Sequence, residues 1–143
     1  MPVSTDMQSP ILLDTCAVIW VVEDAISATA SQCLDAVERA GIGVHISPIT
    51  AWELGLLAAR GKLTSPMSPQ RLFARILAAP HVHLADMPPE VLILSSFLPG
   101  LPPRDPADRI LVATAREYGY RLMTRDRVLL DYAKQGYIQA VVC

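Results

Sequence analysis

The sequence predicts a three-layer α/β/α sandwich around a parallel sheet of four to five strands. Three observations carry that expectation. Short aliphatic runs alternate with helical segments, which implies parallel pairing through right-handed crossovers. The first run, Ile11-Leu12-Leu13, is apolar at every position, as in a strand buried on both faces. The chain of 143 residues suits a single domain, 1–143, with residues 1–9 as a flexible N-terminal arm.

The elements follow in order. Ile11 to Asp14 reads as the first strand, and helical text begins near Ala17. A second helix is expected from Ala28 to Ala40, stopped by Gly41 and Gly43. Val44-His45-Ile46 is the second strand. Thr50 to Leu63 has helical spacing, with Trp52, Leu56, Ala59 and Leu63 near one stripe. Ser68-Pro69 opens a helix to Ala79, because serine suits the cap and proline the first helical position. Val82-His83-Leu84 makes a third strand, and Pro88-Pro89 leads into a helix ending near Leu98. Pro99-Gly100-Leu101-Pro102-Pro103 reads as loop. Asp105-Pro106 starts the strongest helix, Ala107 to Tyr118, ended by Gly119. Arg121 to Thr124 is a fourth strand, Arg127 to Lys134 a last helix, and Ile138 to Val142 a final strand.

Composition narrows the function. Hydrophobic residues make up 52% and mean hydropathy is +0.34, so apolar surface is left for a partner or a second copy. The longest apolar runs, Leu54 to Ala59 and Ile110 to Ala115, fall far short of the ~20 residues that span a bilayer, so no membrane segment is expected. Met1 to Pro10 lacks a basic region followed by an apolar core, so no signal peptide is expected and the protein is placed in the cytoplasm. Cys16, Cys33 and Cys143 form no C-x-x-C pair and read as reduced, mostly buried thiols. A net charge of −2 gives no global attraction to nucleic acid. Arginines 104, 109, 116, 121, 125 and 127 with Lys134 still crowd the last third, leaving room for a local basic surface.

Chemistry is carried by acids. In such a fold every strand-to-helix junction lies at the carboxyl edge of the sheet, where ligands bind. Asp14 ends the first strand, Asp126 follows the fourth, Glu53 is placed in the first turn after the second, and Asp108 lies in the first turn of the Asp105-Pro106 helix. Each also has a plain capping role open to it: Asp105 with Asp108 at the third helical position, Thr50-x-x-Glu53 as a capping box, Asp14 and Asp126 as caps of the helices after them. Four acids on one rim exceed what capping requires, because their mutual repulsion destabilises the fold unless a cation lies among them. Carboxylates select hard cations such as Mg²⁺ or Mn²⁺, which activate water for attack on a phosphodiester. His45, His81 and His83 fall before or within strands, away from that rim. No Walker loop, G-x-G-x-x-G or G-x-S-x-G occurs. Asp14-Thr15-Cys16 lacks the second acid of a D-x-D phosphatase.

Leu12-Leu13-Asp14-Thr15, Trp52-Glu53-Leu54, Asp105-Pro106-Ala107-Asp108-Arg109 with Ala113-Thr114-Ala115, and Thr124-Arg125-Asp126 occur in that order. The ordered set resembles PIN domains of the VapC toxin type over nearly the whole chain. The resemblance implies a Mg²⁺- or Mn²⁺-dependent endoribonuclease, commonly dimeric, whose site is blocked by a cognate antitoxin. It matches Asp14, Glu53, Asp108 and Asp126 to the family's acidic quartet, serving as catalytic residues and metal ligands. Thr15 and Thr124 match its hydroxyl positions. Asp105 is an outer-shell acid or an N-cap, with the cap preferred. Arg109 could hold a carboxylate, touch RNA phosphate, or form a surface ion pair. Pro103 stands where similar proteins often carry a polar or aromatic residue. Trp20 and Trp52 are assigned to core or interface packing rather than base stacking. Leu54 to Ala59 reads first as buried surface, then as a groove edge for an antitoxin helix.

Two rivals remain: a PIN-like module that binds RNA or protein without cutting, and a phosphoacceptor domain using Asp14 or Asp126. The second lacks the expected lysine near the fourth strand's end.

Overall fold

The computed structural model describes residues 9–143. Apart from Ser9, the predicted N-terminal arm lies outside the described residues. Five parallel strands form one sheet in the order β3-β2-β1-β4-β5: β1 Ile11–Leu13, β2 Val44–Ile46, β3 Val82–Leu84, β4 Arg121–Thr124 and β5 Gln139–Val142. Seven helices connect them: α1 Thr15–Val22, α2 Ala28–Arg39, α3 Pro48–Ala59, α4 Pro69–Leu77, α5 Pro89–Leu94, α6 Pro106–Tyr118 and α7 Arg127–Lys134. No helix among the described residues is long and apolar enough to cross a membrane.

Strand periodicity divides the core in two. Ile11, Leu13, Ile46, Met123 and Val141 face one layer, with Val18, Val37, Leu54, Leu72 and Ile76 from α1 to α4. Leu12 and Leu122 face the other, with Leu111, Val112 and Ala115 of α6 and Leu129 and Tyr132 of α7. Successive side chains of a strand point to opposite faces, so a strand apolar at every position needs helices on both sides.

Boundaries differ from expectation where a cap was misplaced. Helix α3 begins at Pro48, capped by Ser47, whose Oγ accepts from the Ile49 N–H. That cap-then-proline pair matches Ser68-Pro69 and Asp105-Pro106, and it moves Glu53 from the first turn to the second. Thr50 therefore caps nothing and is fully buried. The phase shift also corrects the α3 stripe: Thr50 and Leu54 face inward, while Trp52 is 55% exposed and belongs to no core. Helix α1 begins at Thr15, two residues before the expected start, and α5 ends at Leu94, where the Ser95 hydroxyl turns back to the Leu92 carbonyl. Of the thiols expected to be mostly buried, Cys16 is exposed, Cys33 half-buried and Cys143 buried; all three are free.

The proline-rich loop before α6 is firmly tied. Gln135 accepts from the Leu101 N–H and donates to its carbonyl, and the Tyr132 hydroxyl donates to the Pro99 carbonyl. A Cβ at Gly100 would lie 2.4 Å from Tyr137 and 2.5 Å from Gln135, and its φ is +70°, so only glycine fits this approach. Arg109 completes the anchorage, donating to the carbonyls of Ser95 and Pro103 at 2.8 and 3.0 Å. Its guanidinium is thus used on backbone rather than on a carboxylate or an ion pair.

Candidate active site

The chain leaves β1 toward β2 and β3, then crosses back to β4 and β5. Helices following β1 and β4 diverge to opposite faces, opening a crevice at the carboxyl edge between those strands. A cavity of about 470 Å³ sits there, lined by Asp14, Thr15, Cys16, Trp20, Glu53, Asp105, Asp108, Arg125 and Asp126. All four predicted quartet acids line it, and Asp105 is the fifth.

Each acid is oriented by its local structure. Asp14 is 5% exposed; its Oδ1 accepts from the Ala17 N–H at 2.7 Å, capping α1, and its Oδ2 accepts from the Thr124 hydroxyl at 2.5 Å. Thr124 in turn accepts from the Asp126 N–H at 3.0 Å, coupling the ends of β1 and β4. Asp126 Oδ1 caps α7 through the Val128 N–H at 2.9 Å. Asp105 Oδ2 caps α6 through the Asp108 N–H at 3.0 Å. Glu53 is reached by the Thr15 hydroxyl, which lies 3.3 Å from that of the buried Thr50.

Capping and clustering therefore coexist: in Asp105 and Asp126 the cap uses one carboxylate oxygen and not the other, whereas in Asp14 the second oxygen is taken by Thr124. Carboxylate oxygens of Glu53, Asp105 and Asp108 all lie within 4.8 Å of one another, close enough to share one ion. That promotes Asp105 from a cap alone to a member of the cluster.

The electrostatics record the crowding. Burial, partly offset by the Thr124 and Ala17 hydrogen bonds, raises the Asp14 pKa to about 6. Burial and then the charges of Asp105, Asp126, Glu53 and Asp14 raise Asp108 to about 7. Burial also raises Glu53. Although the residue as a whole is exposed, partial desolvation of its sulfur and then the surrounding acids push the Cys16 thiol up to about 11. Hard carboxylate oxygens that resist joint ionisation fit a divalent cation, which would replace protons as the neutralising charge.

The histidines lie elsewhere, as expected: His45 and His83 are register partners within β2 and β3. Sequence reasoning missed three pocket residues. Cys16 and Trp20 are four apart on α1 and share a face with the site, while Arg125 lies between two residues already singled out. Helical spacing counted from Thr15 and the strand end at Thr124 were the available signals.

Fold and site together define an α/β domain with a carboxylate centre at its topological switch point. A family model described as "PIN domain" matches residues 11–135, and the chain belongs to that family. It is 31% identical over 124 residues to Ribonuclease VapC22 of Mycobacterium tuberculosis, covering 85% of this chain and 91% of the relative. Among solved structures, it superposes at a TM-score of 0.63 on a chain of the crystal structure of VapBC2 from Rickettsia felis bound to a promoter DNA fragment. That match covers 92% of this chain and 97% of the other at 12% identity, a likeness of fold.

Proposed function

We propose that this chain is a divalent-metal-dependent endoribonuclease, the toxin of a VapBC-type pair. The observation that carries this reading is the convergence of five carboxylates on one cavity, three of them with oxygens within 4.8 Å. Similarity to a ribonuclease over most of the chain supports it.

Glu53, Asp105, Asp108, Asp14 and Asp126 would hold Mg²⁺ or Mn²⁺, with Thr124 and Thr15 fixing the rotamers of Asp14 and Glu53. A bound cation supplies Lewis acidity and an activated water for in-line attack on phosphorus. The balance is hydrolytic: the water oxygen bonds to phosphorus, one phosphodiester P–O bond breaks, and a water proton ends on the departing oxygen. No covalent enzyme intermediate is needed. Single-stranded and loop RNA suit the site, because an unstacked backbone bends into a cleft where a duplex does not.

A cognate antitoxin and a second copy of the chain are the partners this reading requires. An apolar groove between α3 and α4, lined by Ala51, Gly55, Phe73 and Leu77, supports docking of a partner helix. Exposed Ile93, Phe97 and Leu101 support further association. The three free thiols suit a reducing cytoplasm.

The test is cleavage of a mixed RNA pool by antitoxin-free protein with Mg²⁺, with Mn²⁺ and with EDTA, beside an Asp14→Asn control. Metal-dependent cutting lost in the variant is the expected result. Absence of cutting by folded, metal-loaded protein overturns the reading in favour of a binding module.

A further inference from the structure

Among the described residues, Arg125 is the sole cation lining the acid cavity, set among five carboxylates. Its guanidinium carbon lies 3.7 Å from the centroid of the Trp20 ring, over the indole face. Its Nη2 donates to the main-chain oxygens of Ala25 and Cys143 at 3.2 and 3.1 Å, which uses both hydrogens of that nitrogen. Nε and Nη1 carry three further N–H groups, and the side chain is exposed while Trp20 is half-buried. The group is therefore held on one face and one edge, and its other edge meets no hydrogen-bond acceptor among the described residues.

An anionic backbone entering a pocket of carboxylates meets repulsion that one shared cation offsets only locally. A fixed guanidinium on the wall offsets the remainder, and a planar fork already oriented loses little entropy on binding. We propose that Arg125, braced on Trp20, forms a phosphate-binding wall of the pocket, its Nε and Nη1 edge donating to non-bridging oxygens of single-stranded RNA. The assignment rests on the nuclease reading and adds to it a substrate-contacting residue outside the acidic quartet. The competing role is purely structural: Arg125 as a tie between the segment after α1 and the end of β5.

The two roles separate in an anisotropy titration of a labelled, mixed-sequence single-stranded RNA across a salt series, with Ca²⁺ in place of the activating metal. Arg125→Ala is expected to weaken binding about tenfold and to reduce the log–log salt slope by about 0.7. Arg125→Lys keeps the charge without the fork, so the slope returns while affinity recovers only in part. Trp20→Leu releases the brace and weakens binding about threefold. In Mn²⁺-dependent cleavage of the same RNA these losses fall on KM more than on kcat. Should Arg125→Ala fail to fold, Arg125→Lys and Trp20→Leu decide the question alone. Variants that bind with wild-type affinity and slope while melting earlier overturn the assignment in favour of the tie. Wild-type protein that binds no RNA overturns both this assignment and the nuclease reading. Binding without any cleavage removes only the nuclease reading, since the Arg125 comparison is read from affinity.

Discussion

Two clusters of titratable side chains lie on neighbouring strands of this sheet, and they obey the same physics to different ends. At the carboxyl edge, Asp14, Glu53, Asp105, Asp108 and Asp126 surround an open cavity. On the α6 side of the sheet, His45 stacks on Tyr120 with ring centroids 4.6 Å apart and faces His83 at 5.5 Å. Burial opposes charge in both, raising the acids and, together with His83, lowering His45. The acids line a cavity, whereas the His45 ring is covered by Tyr120 and its buried Nδ1 has no hydrogen-bond partner among the described residues. A Cβ on Gly43 would come within 2.9 Å of His83, so that cluster is closed on this side too. A shifted pKa marks both places; access for a ligand distinguishes the functional one. Cavity size does not: the groove beside β5 and α7, about 850 Å³, is larger but lined by aliphatics with Arg121, Arg127 and Lys134, away from the acids.

The largest expected effect comes from removing one charge of the open cluster. Asp108→Asn should lower RNA cleavage by more than about a hundredfold while raising the melting temperature of metal-free protein by a few degrees at pH 8. Near pH 2, below both the folded value of about 7 and the ordinary 3.8, Asp108 is protonated in both states and the stabilisation should vanish. A melting temperature that falls at pH 8 would show that repulsion is not what raises this carboxyl.

Metal should act the same way from outside. Millimolar Mg²⁺ or Mn²⁺ at pH 7.5 is expected to stabilise the fold, by about 3 kcal/mol at a hundredfold excess over Kd, and less at pH 5, where protons compete for the same oxygens. Differential scanning fluorimetry at the two pH values checks this; an equal shift at both would place the ion away from the acids.

The clusters also oppose one another in pH dependence. Asp14 and Asp108 have folded-state values of about 6 and 7 against an ordinary 3.8, so their stabilisation is full below about 4 and is lost as pH rises through those values. His45 is depressed below its ordinary 6.5, so its contribution is present above that and is lost as pH falls. Metal-free protein should therefore gain stability from pH 7 toward 4, with His45 working against the gain below about 6.5. Denaturant midpoints across that range should show a steeper gain in His45→Phe than in wild type.

Thr124→Val is the smaller test of how the open cluster is held. It removes the donor to Asp14 Oδ2 and the acceptor for the Asp126 N–H. The expected cost is about 1–3 kcal/mol of stability, with weakened metal affinity by calorimetry. Unchanged affinity would reduce Thr124 to a strand-end residue.

Of the basic residues of the last third, Arg121, Arg127 and Lys134 line the groove beside β5 and α7, and several of the arginines are tied to backbone. The guanidiniums of Arg109, Arg116, Arg121 and Arg125 all donate to main-chain oxygens. Counting charge along the chain could not reveal this, because those carbonyls belong to segments up to 112 residues away.

What the sequence determined by itself was whatever depends on neighbours within about one helical turn or on strand alternation. The five strands, the Asp105 cap with Asp108 behind it, and the stops at Gly41 and Gly119 follow from such short-range rules. The Ser47-Pro48 start was equally local and was displaced by the resemblance of Thr50-x-x-Glu53 to a capping box. The tertiary structure alone decided that Asp105 joins Glu53 and Asp108, that Trp20 and Arg125 wall the same cavity, and that Trp52 faces outward. Those outcomes depend on strand order and helix phase, which place β1 beside β4 across 110 residues of chain, beyond the reach of any local rule.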